Sequence, residues 1–210
     1  LEKRIRAFIR DSDCFVCVDN VHGATRGCVE RILGKSIRIR YLRTENDFLF
    51  GGIAPEPSEE NMHGVEGVLQ ESSARLKLGV VMDPDGDRIR YCDGNMQIPM
   101  NYFGAMALHF LHTHKGIRGI VVKSAGTSNF VNAIAQKLAI PVRETKVGFK
   151  NFRPYMTGRS AERAIVAFEE SDGISAFNHT LEKDALFGFL LALEMMAKTG
   201  KNLSGYLKDL

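Results

Sequence analysis

No apolar run in the 210 residues reaches the roughly 18 that a membrane-spanning helix needs. The longest, Leu186 to Leu193, is interrupted by Gly188 and reads as a buried helix. An excess of one charge is also missing: 28 basic residues stand against 25 acidic ones, a formal net charge of +3. Neither a membrane nor nucleic acid is therefore expected as a partner. The basic stretches Lys3, Arg4, Arg6, Arg10 and Arg38, Arg40, Arg43 read as solvated faces. Cysteine is scarce, with Cys14, Cys17, Cys28 and Cys92 only. Cys14-Phe15-Val16-Cys17 has a metal-like spacing, but no second pair follows at zinc spacing and the segment is strand-like. Buried free thiols are the expectation, and reduced thiols suit a cytoplasmic protein. No secretory signal is visible, since the first residues are charged and periodic, and Leu1 reads as the interior of a longer protein.

What is present is an ordinary globular composition, 44% hydrophobic and 25% charged. Apolar spacing predicts helices over 4–10, from a cap at Thr25 to Leu33, and over 65–76, 101–112, 130–138 and 184–198. Strands are expected at 15–18, 37–41, 78–82, 89–92, 117–122 and 165–168, with a loop over the Gly-, Pro- and Glu-rich residues 50–64. Alternating strands and helices argue for an α/β class. The expectation is two consecutive, similar α/β domains, 1–98 and 99–210, each a mixed, largely parallel sheet flanked by helices.

In open α/β sheets, ligands gather at the carboxyl ends of strands. Three segments have that position. Asp83-Pro84-Asp85-Gly86-Asp87-Arg88 follows an apolar strand and sets three carboxylates at alternate positions. Held in a turn, they can face one centre, and oxygen ligands of this kind suit a hard cation such as Mg²⁺. Carboxylates this close repel unless a cation or basic group lies between them. Arg88 is then placed to hold a phosphoryl oxygen. A solvated acidic turn is the plainer reading. An EF-hand fails, because the glycine is at the fourth position and Gly94 stands where the bidentate Glu belongs. A haloacid-dehalogenase-like phosphatase is a rival, since it too carries Asp-x-Asp after a strand.

The second segment is Glu169-Glu170-Ser171-Asp172-Gly173. A carboxylate and a hydroxyl two residues apart can grip adjacent sugar hydroxyls, although a polar turn accounts for the pattern as well. The third is Lys146-Val147-Gly148-Phe149-Lys150, where lysines can meet an anion or simply be solvated. His179 lies near the second segment and is a candidate contact. His109, His112 and His114 gather at a helix end without carboxylate or cysteine company and read as surface or packing residues.

Taken together and in order, these pieces resemble the α-D-phosphohexomutases, the phosphoglucomutases and phosphomannomutases. The resemblance rests on Gly52-Ile53-Ala54-Pro55-Glu56-Pro57-Ser58-Glu59-Glu60-Asn61, the aspartate loop, Thr145 to Lys150, Glu169 to Gly173 and Glu182-Lys183-Asp184. The aspartate loop is the most specific, and the set spans nearly the whole chain. Family members have four domains: a phosphoserine domain, a Mg²⁺-loop domain, a sugar-loop domain and a phosphate clamp. This chain resembles the second and third.

The resemblance implies Mg²⁺ on Asp83, Asp85 and Asp87, with Arg88 catalytic beside the phosphoserine. It implies Glu169 and Ser171 on sugar hydroxyls, and Lys146 and Lys183 as substrate contacts. The implied enzyme is an isomerase-class phosphotransferase. It interconverts hexose 1-phosphate and hexose 6-phosphate through a phosphoserine and a hexose bisphosphate. The partners would be glucose or mannose phosphates, the bisphosphate, and the N- and C-terminal domains not found here. No Thr-Ala-Ser-His-Asn-type serine segment and no phosphate clamp occur in the 210 residues. Isolated, the chain is expected to be an inactive fragment. Asp172 stands where glycine is common, and Ala185 where glycine usually follows Lys-Asp. A non-catalytic sugar-phosphate-binding module is the other rival.

Overall fold

The computed structural model describes residues 2–158 and 160–210. Its first sheet is built from β1 (Cys14–Asp19), β2 (Ile39–Leu42), β3 (Leu76–Met82), β4 (Ile89–Cys92) and β5 (Gln97–Ile98), in the order β2-β1-β3-β4-β5. β1 is parallel to both β2 and β3, and β4 and β5 turn back antiparallel. The second sheet repeats the plan with β6 (Ile120–Ser124), β7 (Val142–Thr145), β8 (Ala164–Phe168) and β9 (Ile174–Ser175), in the order β7-β6-β8-β9. Again a central strand has a parallel neighbour on each side, and the last strand is antiparallel. The α/β class with mixed, largely parallel sheets is therefore present, with a repeat visible in topology rather than in sequence.

The helices are α1 (Glu2–Asp11), α2 (Cys28–Leu33), α3 (Glu59–Glu71), α4 (Met100–Thr113), α5 (Phe130–Lys137), α6 (Arg153–Met156), α7 (Ala185–Thr199) and α8 (Leu203–Lys208). One continuous core joins the facing sides of the two sheets through α4 and α7. α7 packs on α1, β3 and β4 as well as on β9. It approaches closely because residue 188 has no side chain: a Cβ there would lie 2.4 Å from the Tyr91 hydroxyl and 3.0 Å from Ile89 and Ile174. A smaller core under α3 covers the other face of the first sheet, and one under α6 covers that of the second.

Several elements are displaced from the sequence-based expectation. α3 starts at Glu59, inside the expected loop, because the Ser58 hydroxyl accepts from the Asn61 amide at 3.2 Å and Glu59 and Glu60 occupy its positive end. It stops at Glu71, before Leu76 enters β3. Thr25 caps nothing: its hydroxyl donates to Asn20, and α2 begins after Gly27 in left-handed backbone. β2 and β6 begin later than expected, and Ile37 is exposed. β7 escapes sequence reading because it is an edge strand of half-exposed and exposed residues. Cys14 and Cys17 lie in different cores on opposite faces of β1. All four cysteines are free, Cys28 being only partly buried, and burial pushes the Cys17 thiol up to about 12.

Candidate active site

β3 delivers Asp83 at its carboxyl end, and the following loop closes around that carboxylate. Asp83 is 0% exposed. Its Oδ1 accepts the amides of Asp87 (3.0 Å) and Arg88 (2.9 Å), and its Oδ2 accepts Arg88 Nε at 2.7 Å. The amide of Gly86 returns to the Asp83 carbonyl at 3.0 Å. Asp83, Asp85 and Asp87 consequently hold carboxylate oxygens within 4.8 Å of one another. Asp85 is exposed, and its side chain makes no hydrogen bond or ion pair to the described residues. Burial pushes the Asp83 carboxyl up, the bonds from Arg88 pull it down, and Asp87 adds to the upward push. Among the described residues these three are the one set of three or more His, Cys, Asp or Glu side chains close enough to share a metal ion.

The loop after β1 supports the aspartate loop. Gly23 lies so close to it that a Cβ would fall 2.2 Å from the Pro84 Cα, and the Ala24 amide donates to the Pro84 carbonyl at 2.6 Å. Beside this contact runs a network that sequence reading missed. Arg43 grips Asp19 with Nε (2.8 Å) and Nη2 (2.7 Å) and donates to Asn61 Oδ1 at 2.6 Å. Asn61 donates in turn to the carbonyls of Ala54 (2.9 Å) and Glu56 (2.7 Å). Arg43 is thus not part of a solvated face. It pins the 54–61 segment, whose Glu56 carboxylate lies 3.8 Å from Arg88. The sequence offered Arg43 only as part of a basic run and Asn61 only as the end of a motif, with nothing local to link either to Asp19.

β8 delivers Glu169, which is 3% exposed. Its Oε1 accepts the Gly148 amide at 2.9 Å, which ties the lysine-bearing loop to it. Burial raises its carboxyl, against the Gly148 amide and Lys183. Glu170 turns away to the Ser124 hydroxyl and reaches Thr127 at 3.5 Å. Ser171 is exposed.

The two strand ends meet. Arg88 and Gly173 form an antiparallel bridge, and the Ile89 amide donates to the Asp172 carbonyl at 2.9 Å. Lys183 stands between them, its ammonium 3.4 Å from Asp87 Oδ2 and 4.0 Å from Glu169 Oε2. The Ala185 amide donates to the Gly86 carbonyl at 3.0 Å, so the start of α7 is fastened to the aspartate loop. Asp184 caps α7 by accepting from Phe187 at 3.1 Å, and its other oxygen holds His179 Nε2 at 2.7 Å. His179 also lies on Phe187, with ring centres 4.8 Å apart. Of the residues expected from sequence, Asp83, Asp85, Asp87, Arg88, Glu169 and Lys183 share one contact network or cluster. His179 stands at its margin, and Lys146 is exposed, its side chain making no hydrogen bond or ion pair to the described residues.

Comparison with known proteins locates this geometry. Residues 2–96 match the model of the phosphoglucomutase/phosphomannomutase alpha/beta/alpha domain II, and residues 99–210 match that of domain III. A phosphoglucomutase/phosphomannomutase of Thermococcus kodakarensis is 27% identical over 201 residues, covering 93% of this chain and 42% of that protein. The crystal structure of a putative phosphomannomutase from Thermus thermophilus superposes with a TM-score of 0.85 at 27% identity, over 99% of this chain and 46% of that one. An Aspergillus fumigatus N-acetylphosphoglucosamine mutase, solved with GlcNAc-6P and magnesium, shares the fold at a TM-score of 0.67 and 16% identity, over 99% of this chain and 52% of that one. The chain spans less than half the length of the curated relatives it matches.

Proposed function

Since the chain belongs to the phosphoglucomutase/phosphomannomutase family, we propose that it supplies the metal and sugar sites of a phosphohexomutase. Such an enzyme interconverts hexose 1-phosphate and hexose 6-phosphate through a phosphoserine and a bisphosphorylated sugar. The observation that carries this reading is the Lys183 ammonium placed between Asp87 of one unit and Glu169 of the other. It joins an acidic cluster suited to a cation and a carboxylate suited to sugar hydroxyls in one site. The match to both mutase domains leaves the phosphatase reading without support.

Asp83, Asp85 and Asp87 fit Mg²⁺. They are oxygen donors only, clustered within 4.8 Å, with Asp83 buried and Asp85 uncommitted. When bound, the ion neutralises charge on the phosphoryl oxygens in flight, which is most of what phosphoryl transfer asks of a protein. Arg88 has its Nε committed to Asp83. This anchors the guanidinium at the loop, and its outer nitrogens, one of them 3.8 Å from the Glu56 carboxylate, remain to meet a phosphoryl oxygen. Glu169 accepts from one sugar hydroxyl while Ser171 binds its neighbour, and Lys183 orients the phosphosugar between the units. Lys146 and His179 contribute at the edge of the site. Domains carrying the phosphoserine and the phosphate clamp complete it. A cytoplasmic setting belongs to the same proposal and is supported by the four free thiols.

Calorimetric titration tests the reading on the chain itself, with Mg²⁺ and with glucose 1,6-bisphosphate. Asp85→Asn should weaken Mg²⁺ binding by about tenfold or more, and Glu169→Gln should weaken bisphosphate binding while sparing the ion. In a coupled assay with glucose 1-phosphate or mannose 1-phosphate, Mg²⁺ and a bisphosphate primer, the homogeneous chain should give no isomerisation. Robust turnover would contradict the need for a serine supplied from outside these residues. Failure of the unaltered chain to bind the bisphosphate would count against the mutase site.

A further inference from the structure

We propose that the Arg90–Asp172 ion pair is a positioning clasp, which sets the register in which the aspartate loop faces the sugar loop and so the span of phosphosugar the site accepts. The inference rests on the mutase reading for the nature of the ligand; the clasp itself is a matter of contacts. Arg90 directs Nε at 3.1 Å and Nη2 at 2.9 Å to the same oxygen, Oδ2, of a residue 82 positions away. Asp172 is 4% exposed and holds a φ of 68°. Its carbonyl accepts the Ile89 amide while its carboxylate takes the Arg90 guanidinium. One residue thus grips two consecutive positions of β4 with main chain and side chain together.

The groups proposed to act are tied to this grip within a residue or two. Arg88, which pairs with Gly173, holds Asp83. The Gly173 carbonyl accepts the Glu169 amide at 2.9 Å. The Lys183 stem lies over Gly173 so closely that a Cβ there would meet its Cδ at 2.5 Å. A slip of one residue in an antiparallel pairing turns every side chain to the opposite face. Here it would part Lys183 from Asp87 and the Ala185 amide from the Gly86 carbonyl, the contacts that join the two loops.

The physics argues for specification rather than stability. Left-handed backbone is unfavourable for a residue with a side chain, and aspartate is among the few that tolerate it. Removing a carboxylate from water offsets much of what its partner returns. The second oxygen, Oδ1, has no hydrogen-bond partner among the described residues. Two local penalties at one residue, between two binding loops, fit a device that selects one arrangement. A buried ion pair is better attested in that use than as a source of stability.

The test compares the unaltered chain with Arg90→Gln, Asp172→Asn, the double variant and Arg90→Lys. Asparagine keeps the shape and the tolerance for left-handed backbone, so it removes only the charge. Amide hydrogen exchange at Ile89 and Glu169 reads the register without any ligand. Exchange should be about tenfold faster in each single variant, and the double variant no faster than either, as for residues acting as one unit. Affinity for glucose 1,6-bisphosphate should fall about tenfold while Mg²⁺ affinity holds, and Arg90→Lys should recover part of the loss; the thermal midpoint should fall in Arg90→Gln, which leaves a buried carboxylate unpaired. Unchanged exchange in both single variants overturns the clasp. So does a fall of Mg²⁺ affinity in step with the sugar, which would mark a general loss of structure. If the unaltered chain does not bind the bisphosphate, the substrate reading fails, and the clasp is decided by the exchange rates alone.

Discussion

Burial pushes the Asp172 carboxyl up to about 6, against the pull of Arg90. Its folded-state value therefore lies above the ordinary 3.8. The folded protein then holds a proton that the unfolded chain releases, and this group's contribution to stability falls as pH rises from near 4 through 6. The contribution is fully present below the unfolded value and is lost above the folded one. The difference is worth roughly 3 kcal/mol. Denaturation measured between pH 4 and pH 7 should show this slope in the unaltered chain, and Asp172→Asn should flatten it. An equal slope in both proteins would assign the effect to other groups. Asp83 and Glu169 are raised for the same reason, burial at a strand end. At this scale the sequence was readable where chemistry is contiguous, as in Asp83 to Arg88 and Glu169 to Ser171. It was silent on Arg43 with Asp19 and on Arg90 with Asp172. Nothing local tells a half-buried arginine from a solvated one.

At the scale of elements, two substitutions separate local preference from packing. In an isolated helix Gly188→Ala should stabilise by about 1 kcal/mol. In α7 the new methyl would sit 2.4 Å from the Tyr91 hydroxyl and 3.0 Å from Ile89 and Ile174. Overpacking of this kind costs about 1–3 kcal/mol and should outweigh the helical gain. A lower denaturation midpoint checks it, and a raised one would mean that α7 shifts freely. Ser58→Ala removes the cap of α3 and should cost about 1 kcal/mol, read in the same experiment. Long helices with a clear apolar stripe, such as α4, were legible. The start of α3 was not, because Gly52 to Pro57 sets a loop composition that hides the cap. β5 and β9 have two residues each, too short for any period to show.

The whole molecule is two sheets of one topological plan around a shared core. We propose a boundary between the two units near residue 98. α7, from the second unit, packs on β3 and β4 of the first. Apolar periodicity, turn residues and the acidic and sugar-loop motifs act over a few neighbours. For that reason the α/β class, most elements and the candidate site side chains could be read from the chain in order. Distances between strand ends depend on packing and pairing between segments tens of residues apart. Only the folded structure therefore brought Lys183 between Asp87 and Glu169, bridged Arg88 to Gly173, and buried Asp172 beside Arg90.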